Sequence, residues 1–82
     1  KFRCLALAYE AISRGGNMPC ILNAANEVAN AAFRRGECSF LGMAEIIKKT
    51  MTATPFDKSP DLDVYLQTDR EAREIANQFI HQ

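Results

Sequence analysis

The chain has 82 residues, nearly half of them apolar, and its ten basic residues balance ten acidic ones. This composition indicates one small globular domain with a thin core, and its neutral charge gives no reason to expect a nucleic-acid partner. No apolar run approaches the roughly 18 residues that cross a bilayer and no signal peptide is visible, so we expect no membrane partner and a cytoplasmic location.

The first apolar pattern predicts an amphipathic helix that ends at a glycine pair. Its apolar residues step by three and four along one face: Phe2, Leu5, Tyr9 and Ile12. Gly15-Gly16 then ends the helix, because glycine adopts the left-handed conformation without steric cost. A phosphate-binding role for this pair is disfavoured, since it follows a helix rather than a strand.

A second helix is predicted from Pro19, which suits a first helical turn, to Gly36. Its narrow apolar stripe consists of Leu22, Ala25, Ala29, Ala32 and Phe33. The small alanine side chains in this stripe would let a neighbouring helix approach closely.

A third helix is predicted from Leu41 to Ala53. Apolar residues at helical spacing point to the core, whereas charged residues face solvent. The inward set is Met43, Ile46, Ile47 and Met51, and the outward set is Glu45, Lys48 and Lys49.

The remaining residues predict a short helix and then a longer one. Ser59-Pro60-Asp61 is typical of the N-cap and first turn of a helix that runs through Leu66. Thr68-Asp69-Arg70-Glu71 has the form of a capping box before a final helix with an apolar face of Ala72, Ile75, Ala76, Phe79 and Ile80. We therefore expect residues 1–82 to form a single all-α domain, a small bundle of about four helices plus a short extra helical turn.

The sequence contains few residues that could form a catalytic or metal-binding site. A nucleophile needs a base and an orienting group, yet the one histidine is the near-terminal His81. Cys4, Cys20 and Cys38 have no metal-binding spacing and are interpreted as free buried thiols. We expect no catalytic, cofactor-binding or metal-binding residue and no cofactor in this chain.

One polar pattern remains, the asparagine stripe, formed by Asn23, Asn26, Glu27 and Asn30 on the second helix. Asparagine is a poor residue for a helix interior because its amide competes for backbone groups. These side chains either satisfy loops and helix ends packed across them, which we favour, or contact a ligand or another subunit.

The run Leu22-Asn23-Ala24-Ala25-Asn26-Glu27-Val28-Ala29, continued by Ala31-Ala32-Phe33, resembles the C-terminal domain of 1-deoxy-D-xylulose 5-phosphate reductoisomerases. Weaker similarities lie near Cys4-Leu5, at Ser39-Phe40-Leu41 and at Asp69 to Ala72. The sequence departs from the family pattern at Arg3, Asn30 and Gly42, which puts local packing in question.

The resemblance implies a parent enzyme that uses NADPH and Mg²⁺ or Mn²⁺ to rearrange and reduce 1-deoxy-D-xylulose 5-phosphate to 2-C-methyl-D-erythritol 4-phosphate, in non-mevalonate isoprenoid synthesis. This chain would be its non-catalytic C-terminal scaffold, with the other domains as partners and a homodimeric parent. The start at Lys1, within a helical pattern, agrees with a piece of a longer multi-domain enzyme. The alternative is a stand-alone helical protein-interaction module.

Overall fold

A computed structural model describes residues 3–82, which form four helices and no strand. The helices are α1 (Arg3–Arg14), α2 (Met18–Arg34), α3 (Phe40–Ala53) and α4 (Leu62–Ile80). The predicted all-α bundle of four helices is confirmed. None of the helices in this described range is long and apolar enough to cross a membrane.

Helix α2 lies at the centre and packs against α1, α3 and α4. Its Met18 and Ile21 are fully buried, and four alanines on it have no exposed surface: Ala24, Ala25, Ala29 and Ala32. Ala72 and Ala76 of α4 are buried in the same way. Small side chains on both helices allow the close approach that the sequence predicted. Each apolar group that is buried in this way stabilises the fold, because its surface is removed from water.

Helix α3 confirms the predicted division between its faces. The core contains the whole inward set, Met43, Ile46, Ile47 and Met51, while Glu45, Lys48 and Lys49 are exposed. The helix begins one residue early, at Phe40, because the Ser39 hydroxyl accepts a hydrogen bond from the Gly42 amide at 2.9 Å. This N-cap satisfies one of the amides that a helix start leaves free.

Glycines end the first two helices. Gly15 and Gly16 have φ angles of 67° and 56°, and Gly36 has a φ of 77° after α2. At the end of α2 the Gly36 amide donates to the Phe33 carbonyl and the Glu37 amide to the Ala32 carbonyl. This pair of bonds is a Schellman motif, and it requires a left-handed residue at the position of Gly36.

The prediction of a separate short helix followed by a capping box at Thr68 is wrong. Helix α4 runs without interruption from Leu62, and its N-cap is Asp61, whose Oδ1 accepts from the Val64 amide at 2.9 Å. No glycine or proline interrupts the chain between Leu62 and Thr68. The helix therefore continues through the capping-box pattern, and Thr68 lies buried inside it.

The apolar face predicted for α1 is on the outside of the bundle. Leu5, Tyr9 and Ile12 are 53%, 67% and 71% exposed, whereas Leu7 and Ala11 are buried; Phe2 lies outside the described residues. The helical spacing was correct, but α1 contacts α2 and α3 through its smaller face. The larger apolar face is mostly exposed in the structure of residues 3–82.

Candidate functional site

The asparagine stripe lies on the outer surface of α2. Asn23, Asn26 and Glu27 are exposed and Asn30 is half-buried. Asn30 Nδ2 donates to the Asn26 carbonyl at 2.8 Å and to Asn26 Oδ1 at 2.9 Å, so these two amides pair within their own helix. The hydrogen bonds to loop backbone that were expected from the stripe are instead made by Asn17. A structural role for the four stripe residues stays a prediction.

Glu27 connects the stripe to α4 through Arg73. The Arg73 guanidinium donates to Asp69 Oδ2 at 2.9 Å and to Glu27 Oε1 at 2.8 Å. The hydrogen bonds to Asp69 and Glu27 raise the pKa of Arg73 above its already high value. Because all three side chains are more than a third exposed, this network orients α4 on α2 but contributes little to stability.

A groove of about 450 Å³ runs along the outer side of α1 and α2, and we call it the α1–α2 groove. Its lining contains apolar side chains, two amides and no charged group: Cys4, Leu5, Ala8, Pro19, Leu22, Asn23, Asn26 and Ile47. Within the described chain the side chain of Asn23 has no hydrogen-bond partner. The groove thus presents apolar surface with the unpaired amide of Asn23 at its edge, whereas the Asn26 side-chain oxygen already accepts from Asn30.

The apolar surface continues from the groove to the start of α3. A smaller depression is lined by Arg3, Cys4, Phe40, Leu41 and Ala44, so Cys4 belongs to both. Phe40 and Leu41 are 62% and 65% exposed. The Phe40 ring also meets Phe33 of α2 edge to face, with centroids 6.0 Å apart. Three helices therefore share one exposed apolar strip.

Charged residues border this strip at Arg3. Its guanidinium donates to Glu45 Oε2 at 2.8 Å and thereby links α1 to α3. The same hydrogen bond and charge hold the pKa of Glu45 below its usual value. Arg3 is one of the departures from the family pattern, and here it has a partner on α3.

The polar residue that satisfies loop backbone is Asn17, which lies outside the asparagine stripe. It is 1% exposed, and its Nδ2 donates to the Pro55 carbonyl at 3.1 Å and to Thr68 Oγ1 at 3.0 Å. Its Oδ1 accepts from the Asp57 amide at 2.8 Å. An asparagine directly after a glycine pair and before a helix was the available signal, since such residues favour turns.

Gly16 explains why the glycine pair does not fit a dinucleotide. A Cβ atom on Gly16 would overlap the Asp57 carbonyl oxygen, and the next amide, that of Asn17, donates to this same oxygen at 2.9 Å. The turn thus packs against the chain's own loop and has no open amide cradle for a phosphate. Residues 3–82 also contain no group of three histidine, cysteine, aspartate or glutamate side chains that could hold a metal ion.

All three cysteines are free thiols, as expected, but they are not all buried. Cys4 is exposed beside the α1–α2 groove, and Cys20 and Cys38 are half-buried. Cys20 Sγ donates to the Tyr65 carbonyl at 3.6 Å, and burial, followed by the charge of Asp69, raises the pKa of this thiol. A raised pKa keeps the Cys20 thiol protonated and therefore does not activate it as a nucleophile.

Comparison with known proteins gives a consistent family. Residues 1–75 match the family model described as the DXP reductoisomerase C-terminal domain. A 1-deoxy-D-xylulose 5-phosphate reductoisomerase of Bacteroides thetaiotaomicron is 60% identical over 80 residues, which cover 98% of this chain and 20% of the relative. The enzymes of Bacteroides fragilis and Dechloromonas aromatica are 59% and 48% identical, over 98% and 100% of this chain and 21% of each relative.

The chain therefore spans about a fifth of the length of the curated relatives that it matches. No solved structure matches it. The family model and the level of identity together are sufficient for assignment: the chain belongs to the DXP reductoisomerase C-terminal domain family.

Proposed function

We propose that this chain is the helical scaffold domain of a longer reductoisomerase that converts 1-deoxy-D-xylulose 5-phosphate to 2-C-methyl-D-erythritol 4-phosphate. The observation that carries the proposal is the high identity to reductoisomerases over only a fifth of their length. The family resemblance implies NADPH and Mg²⁺ or Mn²⁺ as cofactors of that longer enzyme. It also implies a homodimer in the cytoplasm.

The described residues support a scaffold rather than a catalytic role. The glycine turn at Gly15-Gly16 is filled by the Asp57 carbonyl, and residues 3–82 contain no metal-binding cluster. NADPH needs a glycine-rich turn with free amides at a helix start, and a divalent cation needs converging oxygen ligands. We assign no cofactor-binding and no catalytic residue to this chain, and the other domains of the longer enzyme are its partners.

The experiment is a comparison of the full-length protein with the 82-residue chain. The full-length protein should oxidise NADPH in the presence of 1-deoxy-D-xylulose 5-phosphate and Mn²⁺. Calorimetric titration of the 82-residue chain with NADPH, with and without Mn²⁺, should give no saturable heat. Micromolar binding by the chain alone would contradict the scaffold role, and a full-length protein without this turnover would contradict the parent function.

A scaffold role also predicts how a mutation in this domain affects the full-length enzyme. Asn17→Ala removes buried hydrogen bonds within this domain and should lower the melting temperature. The kcat of the enzyme that remains folded should stay within about twofold, because a positioning effect on chemistry would exceed that. A large loss of kcat without a loss of stability would assign the domain a part in catalysis.

A further inference from the structure

Helix α1 is held to the bundle by few contacts. Of its 12 residues only Leu7 and Ala11 are buried, and its larger apolar face is exposed. Among the described residues, one side-chain hydrogen bond joins α1 to another helix, the exposed bond from Arg3 to Glu45. A helix of this length is only marginally stable in water by itself, so α1 depends on these contacts to stay folded.

The other three helices form a closed unit without α1. Helix α2 packs against α3 and α4, and α3 packs against α4, whereas α1 contacts only α2 and α3 within residues 3–82. Asn17 ties the start of α2 to the loop between α3 and α4 and to Thr68 of α4. Because none of these contacts involves α1, a movement of α1 away from the bundle leaves them intact.

The hinge between α1 and this three-helix unit lies within Gly15. Its amide donates to the Ala11 carbonyl of α1 at 3.0 Å, whereas its carbonyl accepts from the Met18 amide of α2 at 3.0 Å. Rotation about the φ and ψ of Gly15 therefore moves α1 without breaking either bond. Apart from its chain neighbours, no atom lies within 4 Å of a Cβ position on Gly15, whereas Gly16 is held against the Asp57 carbonyl. Glycine permits such rotation because it has no Cβ.

We infer that α1 is a hinged lid, which opens as one unit about Gly15 while α2, α3 and α4 stay folded. The surface that it uncovers includes Ile47, which is 1% exposed and lines the α1–α2 groove beside Leu5 and Ala8. Opening therefore turns the floor of the groove into accessible apolar surface. Proteins open locally in such units, and the units with few buried apolar contacts open most readily. The inference does not depend on the proposed function.

Hydrogen exchange of the 82-residue chain, resolved by NMR and corrected for intrinsic rates, tests the inference. Because α1 opens before the rest unfolds, amides of residues 7–14 should exchange at least tenfold faster than those of residues 21–33 in α2. Their exchange should also depend less on added urea, since the opening of one helix exposes less surface than the unfolding of the whole chain. Equal rates in the two helices, or the same urea dependence, would overturn the inference.

The variant Ala72→Gly separates the lid from the rest of the fold. Ala72 is fully buried on α4, which does not contact α1 within residues 3–82, so this variant destabilises the three-helix unit. Exchange in residues 21–33 should accelerate about fivefold, whereas exchange in residues 7–14 should change less than about twofold. Acceleration of both helices by the same factor would show that α1 unfolds only together with the whole chain.

The variant Leu7→Ala loosens the lid itself. Leu7 is 8% exposed, and its truncation should accelerate the exchange of all amides in residues 7–14 by at least about tenfold. The matched control, Leu5→Ala, removes the same atoms from an exposed side chain and should accelerate them less than about threefold. An unchanged rate in Leu7→Ala would contradict the lid, because its buried contacts would then not control its opening. Loss of all folding in this variant would also contradict it, because the three-helix unit must persist when α1 opens.

Discussion

The side-chain amide of Asn17 donates to Thr68 Oγ1 across 3.0 Å, and this buried bond joins the start of α2 to the middle of α4. The same amide group donates to the Pro55 carbonyl, and its oxygen accepts from the Asp57 amide. One side chain thus ties two helices and the loop between α3 and α4. No buried side-chain nitrogen or oxygen in the described range lacks a partner, which shows how completely this junction is satisfied.

Asn17→Ala should destabilise the domain by about 3 kcal/mol, because it leaves the Thr68 hydroxyl and two loop backbone groups without partners inside the protein. Chemical denaturation monitored by circular dichroism measures this difference. Asn23→Ala, on the same helix but exposed, is the matched control and should be neutral or slightly stabilising. Similar losses of stability for the two variants would mean that the hydrogen bonds of Asn17 stabilise the fold no more than an exposed asparagine does.

The true start of α4 can be located by mutation. Asp61→Ala should cost about 1 kcal/mol, because it removes the acceptor for the Val64 amide. Asp63→Ala, two residues later in the first turn, loses only a favourable interaction with the helix dipole of about 0.5 kcal/mol. Both are read from denaturation midpoints. If Asp61→Ala had no effect and Glu71→Ala cost about 1 kcal/mol, the capping box at Thr68 would be the real helix start.

Local patterns in the sequence predicted the helices well, and tertiary contacts explain where the pattern at Thr68 failed. The spacing of Met43, Ile46 and Ile47 predicted both α3 and its buried face, because periodicity alone decides which side of a helix is apolar. The capping-box pattern at Thr68 failed because the same hydroxyl can cap a helix or accept a buried bond, and only the position of Asn17 decides between them. Such a choice is not encoded in local spacing.

The apolar face of α1 shows a different limit. Periodicity predicted that Leu5, Tyr9 and Ile12 share a face, and they do, yet it does not say whether the partner of that face lies within the same 82 residues. The same limit applies to the prediction of the candidate site. The asparagine stripe was visible in the sequence, but its position beside the α1–α2 groove depends on how α1 packs on α2.

The turn between α1 and α2 gives a third prediction. Gly16→Ala should prevent stable folding or cost several kcal/mol, because the added Cβ would overlap the Asp57 carbonyl and the φ is positive. Gly15→Ala has a similar φ but open space around its Cβ, so it should cost only about 1–2 kcal/mol. Thermal melts of the two variants make the comparison. A milder effect at Gly16 than at Gly15 would contradict the close approach of the loop.

The ion pair between Arg3 and Glu45 gives a pH-dependent prediction. Arg3 lowers the pKa of Glu45 in the folded state. The contribution of this ion pair to the stability of the fold is therefore present above the ordinary glutamate pKa and is lost as pH falls through the lowered value. Arg3→Gln should therefore raise the pKa of Glu45 towards its ordinary value, as measured by NMR titration of its carboxyl carbon. Arg14→Gln, which removes the partner of Glu10, should leave the Glu45 pKa unchanged. An unchanged Glu45 pKa in Arg3→Gln would mean that the two groups do not pair in solution.

The last prediction concerns the 82-residue chain by itself. With Leu5, Phe40 and Leu41 exposed and no other domain to cover them, the chain should form concentration-dependent dimers in sedimentation equilibrium. Leu5→Glu should shift this equilibrium towards the monomer by about tenfold, since a carboxylate in an apolar contact must be desolvated without a partner. Gln78→Glu is the control for net charge and should dimerise as the unmodified chain does. A chain that stays monomeric at millimolar concentration would show that the strip is too weakly apolar to associate. If the unmodified chain and both variants all stayed monomeric, there would be no physical reason to expect a partner at the strip.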